Sequence, residues 1–265
     1  MQALIAALLG ALLGALGLSS KVEHGVEQQL RARLGEVREV KVDIHRGHRS
    51  PFSRQVDTVE IILVGFDTRS LAEGEGLRIG GGGDLVGKVG SVVIHARDFR
   101  VNDLGVARLD VTIRDIRYDL WKAIWRRKLE VLRVGRSDAE VWLTADALTR
   151  MVAPRIKQIE NLRLTLGSGD ITVTGNARLG VRIPVRLTCG LAAVGGGKIY
   201  LVDPQAHVSV VPVPSFVISR LMDDINPIVD LNEGRQGPFG LEIDRMQISP
   251  RYLRLHANLS PRKQG

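Results

Sequence analysis

Cys189 is the single cysteine in a chain of 265 residues. An intrachain disulfide is thereby excluded, as is a metal site built on thiolates. Its setting, RIPVRLTCGL, reads as a strand, which makes the thiol a small buried hydrophobe. Aromatic residues are also scarce, at 4%. Nucleic-acid binding needs basic residues together with aromatics or a recognition motif, and with aromatics this scarce nucleic acid is not the expected partner.

The motifs of nucleotide and acyl-transfer chemistry are missing too. The glycine run IGGGGDLVG, Ile79 to Gly87, does not satisfy G-x-G-x-x-G and is followed by no Walker lysine-hydroxyl pair; it reads as a hairpin loop. Ser215 lies between Pro214 and Phe216 without a nucleophile elbow. Of the six histidines only those of HRGH, His45 and His48, are close together, too few ligands for a metal site. The longest apolar run, Ala3 to Leu18, falls short of the roughly 20 residues that span a bilayer. It fits the apolar region of a signal peptide or a short N-terminal tether, with a buried core helix as the alternative.

What remains is an ordinary folded composition with an excess of positive charge. Apolar residues make up 44% and charged residues 25%, and the formal net charge is +8. Such a balance favours an anionic partner, and an anionic membrane surface meets it without further demands.

The patterning is dominated by period two. VREVKVDIH, VDTVEIILVGF, KVGSVVIHARDFRV, ARLDVTIRDI, AEVWL, NLRLTL, DITVTG, VRIPVRL, KIYLV, HVSVV, LEIDRMQI and YLRLHANL each carry one apolar and one polar face, as antiparallel strands wet on one side do. Helical spacing is rare. Val22, Val26, Leu30 and Leu34 recur every four residues behind a candidate cap at Ser19 or Ser20. TADALTRMVAPRIKQI opens at Thr144, with Leu148, Met151 and Val152 on one face. YDLWKAIWRRK, opening at Asp119, puts Tyr118, Trp121 and Trp125 on one helical face flanked by Lys122, Arg126, Arg127 and Lys128. Aromatic and basic residues on a short amphipathic helix suit an interfacial membrane contact, here Trp121, Trp125, Arg126, Arg127 and Lys128; the alternative is a helix packed on the sheet.

The last helical stretch is PSFVISRLMDDINPIVDL. Val217, Leu221, Ile225 and Ile228 share a face by spacing, and Asp223 and Asp224 point away from it. Adjacent carboxylates diverge on a helix, whereas an acid–base pair faces one cavity, so the two acids are read as solvated. Pro227 disfavours helical geometry at Asn226, so the helix ends or kinks there. About a dozen strands against four short helices define an α+β fold with the sheet dominant. Few short helices cannot cover so many apolar strand faces. The sheet must curl on itself or be filled by something else, for which a lipid acyl chain is a natural candidate.

The segment DDINPIVDLNEG, with GPFGLEIDRMQISPRYLRLHANL after it, resembles the C-terminal signature of the LmeA-like family of bacterial phospholipid-binding envelope proteins. The matching residues are Asn226, Pro227, Ile228, Val229, Asp230 and Leu231, then Leu241, Ile243, Ile248, Leu253 and Leu255. LTADALTRMVAPRI and VRIPVRLT extend the likeness upstream, and the order of helices and strands agrees from about residue 20 to 259. IGGGGDLVG and the tryptophan-bearing helix are features without a counterpart in that likeness. The resemblance implies a long curved antiparallel sheet wrapped around a few amphipathic helices, as in tubular lipid-binding folds. It also implies phospholipid as ligand, a location in the cell envelope or periplasm, and no catalytic residue or cofactor.

The resulting expectation divides the chain into a signal peptide or membrane tether over 1–19 and one elongated lipid-binding domain over 20–260, with two pseudo-repeats, 20–143 and 144–260. Acyl chains are expected against Phe216, Val217, Leu221, Ile225, Ile228, Leu148 and Val152. The partners expected are phospholipid, an anionic membrane surface and a component of envelope biosynthesis. An enzyme or accessory factor of envelope lipid or glycan metabolism is the competing expectation; it needs a convergent polar cluster that no stretch of the chain supplies.

Overall fold

Strand alternation dictates not only where the strands run but where they bend. A computed structural model of the chain describes residues 22–45, 55–68, 78–79, 86–101, 104–119, 130–156, 159–178, 182–207, 215–232 and 239–261. In chain order these form α1 (Val22–Leu34), β1 (Glu39–His45), β2 (Gln55–Val64), β3 (Arg78–Ile79), β4 (Val86–Val101), β5 (Leu104–Asp119), β6 (Glu130–Arg133) and β7 (Ser137–Leu143). Then come α2 (Ala145–Val152) with a 3-10 turn at Ala153–Arg155, β8 (Ile159–Leu166), β9 (Ile171–Arg178), β10 (Arg182–Val194) and β11 (Lys198–His207). α3 (Ser215–Ile225), β12 (Val229–Asp230), β13 (Phe239–Ile248) and β14 (Leu253–Pro261) complete the series.

The strands make two sheets. The larger has nine, in the order β1-β2-β4-β5-β7-β14-β13 with β6 beside β5 and β3 beside β6; the smaller runs β12-β11-β10-β9-β8. Sheet dominance and the few helices agree with the expected α+β class, but three expectations need correction. The single sheet is two. Its pairings are antiparallel except β2 with β4 and β3 with β6, which are parallel, because the chain crosses over between β2 and β4 instead of turning back. The strands on either side of the glycine run, expected to form a hairpin, do not pair with each other: β3 pairs with β6 while β4 pairs with β2 and β5, and residues 80–85 between them lie outside the described residues.

β4 and β5, 16 residues each, are long for strands and twice break their alternation. In β4 buried Val89 is followed by buried Val92, and Ala96 by Phe99; in β5 Val106 is followed by Leu109 and Ile113 by Ile116. The breaks face each other, since Arg97 pairs with Arg108 and Ser91 with Arg114. At two of them the backbone turns left-handed, with φ 51° at Asp98 and 53° at Asp115, a region that Asp and Asn enter more readily than other residues with a Cβ. Asn161 in β8 and Asp203 in β11 repeat the device with φ 53° and 50°, beside register shifts in their ladders. Such irregularities bend a strand and increase its twist, so these four residues help curl the sheets.

The helices start and stop where the chain signals. Thr144 caps α2 by accepting a hydrogen bond from the Ala147 N–H at 3.2 Å. α1 buries Val26, Leu30 and Leu34, the four-residue stripe that predicts it. α3 ends at Ile225, before the cis Asn226–Pro227 bond.

Candidate lipid-binding face

Cross-strand register turns separate alternating strands into one continuous surface. Val42, Ile61, Ile94, Val111, Ala139, Ala257 and Ile243 lie side by side on seven neighbouring strands of the larger sheet. Beside them runs a second row, Val40, Leu63, Ala96, Leu109, Val141, Leu255 and Met246. No residue of the first row is more than 8% exposed. The face is thus an apolar interior, with α1 packed on β1 and α2 packed between β5 and β8. Thr149 of α2 ties the helix to the smaller sheet, its hydroxyl accepting from the Leu164 N–H on edge strand β8 at 2.9 Å.

Several of the apolar residues that border this interior and are partly open to solvent lie at one end of the larger sheet. Val101 and Leu104 form the tip of the β4–β5 hairpin, and Met246 and Ile248 lie toward the end of β13 that pairs with the start of β14. Val37, just before β1, and Met151 of α2 belong to the same partly buried set. Exposed Arg100 and Arg150 stand at this end, and a Arg150 guanidinium nitrogen lies against Gly105, where a Cβ would meet it at 3.3 Å.

Of the side chains expected to line the lipid site, Leu148, Val152, Ile225 and Ile228 are fully buried in the one hydrophobic core. Those of Phe216, Val217 and Leu221 lie outside the described residues. Ile228 is not on the α3 face that spacing assigns it to. It follows the helix end, and its N–H donates to the Ile199 carbonyl on β11 at 2.9 Å.

Asn226 explains why the helix stops there. Its Oδ1 accepts from the Leu201 N–H at 2.8 Å and its Nδ2 donates to the Leu201 carbonyl at 3.0 Å, as a paired strand residue would. Arg155 donates to the Pro227 carbonyl at 2.8 Å, and Val229 and Asp230 then pair with β11 as β12. Asn232 repeats the clamp on Leu241 of β13, with both bonds at 3.0 Å. The stretch therefore docks a helix end onto one sheet and that sheet onto the other. Asp223 and Asp224 are exposed on α3, away from the buried side that carries Met222 and Ile225.

Trp121, Trp125, Arg126, Arg127 and Lys128 lie outside the described residues, as do residues 1–21. Tyr118 and Asp119, expected to open that helix, are instead the buried last residues of β5, where the Tyr118 ring covers Gly87 on β4. Burial pushes the Tyr118 hydroxyl above its ordinary pKa and the Cys189 thiol up to about 11. Both disfavour the anion, so the cysteine is a poor nucleophile at neutral pH.

A polar cluster of the described residues is on the outer face of the larger sheet. His95 Nδ1 meets Asp110 at 2.8 Å and His256 Nδ1 meets Glu140 at 3.0 Å. Arg108 and Arg254 pair with the same two carboxylates and flank the Trp142 ring at 4.8 and 5.3 Å. Among the described residues no hydroxyl or thiol bonds either imidazole, and no group of His, Cys, Asp and Glu has the geometry to hold a metal. This is a cross-strand charge ladder that stabilises the sheet.

The described residues thus form a curved sheet with an apolar inner face and short helices packed against it. The family model for LmeA-like phospholipid-binding proteins matches residues 78–258. The chain belongs to the LmeA-like phospholipid-binding family. The match begins at β3, so α1, β1 and β2 precede it. A search of curated proteins gave no match, and neither did a search of solved structures.

Proposed function

We propose that the protein holds phospholipid acyl chains between the apolar face of the nine-stranded sheet and the helices above it, and carries or presents them in the cell envelope. The observation that carries this reading is the pair of apolar rows uninterrupted across seven strands, in a chain of a phospholipid-binding family. Each methylene moved from water onto such a surface contributes about 0.8 kcal/mol, which holds an acyl chain without a specific polar contact. The chain enters at the partly open apolar end marked by Val101, Leu104, Met246 and Ile248. Arg100 and Arg150 stand there to meet a phosphate head group. The protein acts as a container and not as a catalyst, with components of envelope biosynthesis as the recipients of its lipid.

The test is mass spectrometry of an organic extract of the purified protein. Phospholipid present at near one equivalent supports the reading. A protein that is folded, lipid-free and unable to take up a fluorescent phospholipid sinks it, and leaves an interior filled by its own side chains.

A further inference from the structure

Register places three cations in a line at the other end of the same sheet. Lys88 of β4 is directly opposite Arg117 of β5, and Arg117 is directly opposite Arg133 of β6. All three are exposed, and none makes an ion pair with a described residue. Like charges directly opposite on neighbouring strands destabilise a sheet by a few tenths of a kcal/mol or more per pair. Where cations face each other further up the sheet, at Arg97 and Arg108, one of the two has a carboxylate, Asp110. Arg108 and Arg254, on either side of Trp142, are each neutralised by a carboxylate at 2.7 Å. Three exposed cations in one row, none with a carboxylate of its own among the described residues, suit an external anion.

Chain connectivity says which anion. α1 lies along β1 with Glu27 accepting from the Val42 N–H and Leu34 leading to the strand's start, so the N-terminal end of α1 lies toward the cationic end of the sheet. The chain before α1 contains the apolar run Ala3–Leu18. The link from β5 to β6, residues 120–129, also leaves and re-enters the sheet here, and it carries two tryptophans and four basic residues. Val86, 40% exposed, begins β4 at the same edge.

We infer that this end of the nine-stranded sheet is the docking surface for an anionic bilayer, with Lys88, Arg117 and Arg133 facing the lipid phosphates. The partly open apolar end then stands off the membrane by the length of β4, 16 residues or about 50 Å at roughly 3.3 Å per residue. A lipid held inside is thereby offered away from the surface on which the protein stands. The docking stands apart from the proposed function; only the presentation of a held lipid rests on it.

The experiment compares full-length Lys88→Gln/Arg117→Gln/Arg133→Gln with an equal-charge control, Arg163→Gln/Arg186→Gln/Arg245→Gln, whose targets are exposed on other strands. Flotation uses vesicles of phosphatidylglycerol in phosphatidylcholine, and of phosphatidylcholine alone. The row variant should lose on the order of 100-fold in affinity for the anionic vesicles at low salt, near 1 kcal/mol for each basic residue, with a melting temperature unchanged or raised. The control should lose less than about fivefold. Equal losses in the two variants overturn the inference, as does a row variant that keeps vesicle binding but no longer binds heparin. Orientation is read separately by a bimane label at Val86→Cys or Tyr252→Cys. A blue shift on anionic vesicles at position 86 alone supports the docking end, and one at 252 alone reverses it. Phospholipid in the extract of the row variant should match the unaltered protein, so loss of docking and loss of lipid holding are told apart.

Discussion

Seven strands of the larger sheet are joined edge to edge by continuous backbone ladders, whereas among the described residues the smaller sheet is joined to it by a shared apolar core and by side-chain and turn hydrogen bonds, with no ladder between them. Asn232 clamps Leu241, and the Ile243 N–H donates to the Gly196 carbonyl at 2.7 Å. The first arrangement spreads its stability over many equivalent bonds and a shared apolar face. The second concentrates its hydrogen bonds in identifiable groups. On the function proposed above, an interior that admits a ligand needs one wall that resists and one that yields, and the expectation is that the smaller sheet with α3 and β12 yields.

The largest expected effect comes from breaking the resisting wall. Ile94 is fully buried at the middle of the first apolar row. Ile94→Asp puts an unpaired carboxylate there and should cost more than about 4 kcal/mol. The outcome expected is loss of the cooperative thermal transition, and a variant that melts within a few degrees of the unaltered protein contradicts this account of the core.

Asn226→Ala should do less damage, and only locally. It strands the N–H and carbonyl of Leu201, each costing about 1–3 kcal/mol if buried without a partner. Hydrogen exchange should speed up in β11 and β12 while β4 and β5 keep their protection. Uniform loss of protection throughout means that the two sheets unfold as one unit and removes the contrast.

The bends offer a matched pair, one in each sheet. Asp115 in β5 and Asn161 in β8 both have φ 53°. A change to Gly should be nearly neutral, while a change to Val should cost about 1–2 kcal/mol in either sheet, because a β-branched residue resists the left-handed region. Chemical denaturation of the four variants gives the values. A Val variant as stable as its Gly counterpart shows that the bend is not set by that residue.

These bends also mark where sequence reading stopped. Alternation was enough to place β1, β2, β4, β5, β7, β8, β9, β10, β11, β13 and β14, and the Thr144 cap and the Val26, Leu30, Leu34 stripe were enough for two helices. Doubled polar residues within the alternation, Arg97-Asp98, Arg114-Asp115 and Glu160-Asn161, were the available sign of a bulge. Strand order left no local trace. The parallel joint of β2 to β4 and the alignment of Lys88, Arg117 and Arg133 depend on pairing between segments tens of residues apart, which no short pattern encodes. Among the site residues, Leu148, Val152 and Ile225 were legible as apolar helix faces. Ile228 was misplaced because helical spacing runs on through Pro227 on paper, whereas the Asn226 side chain pairs with Leu201 and takes the chain onto β11.

The smallest expected effect tests whether the yielding module has any polar chemistry of its own. Asp223 and Asp224 are adjacent and exposed on α3; the buried residues around them, Met222 and Ile225, face the other way. Adjacent positions on a helix are about 100° apart, so the two carboxyls cannot converge on one substrate as an acid and a base must. Exposed sites of this kind move stability by roughly 0.5 kcal/mol each. Asp223→Asn/Asp224→Asn should therefore melt within about 4 °C of the unaltered protein, given 2–4 °C per kcal/mol for a chain of this size, and should retain its full phospholipid content. If the double variant instead keeps its fold but loses its cellular function, the carboxylates do chemistry that the helix geometry does not accommodate. The module would then be a site of reaction, and its loose attachment would serve catalysis and not the passage of lipid.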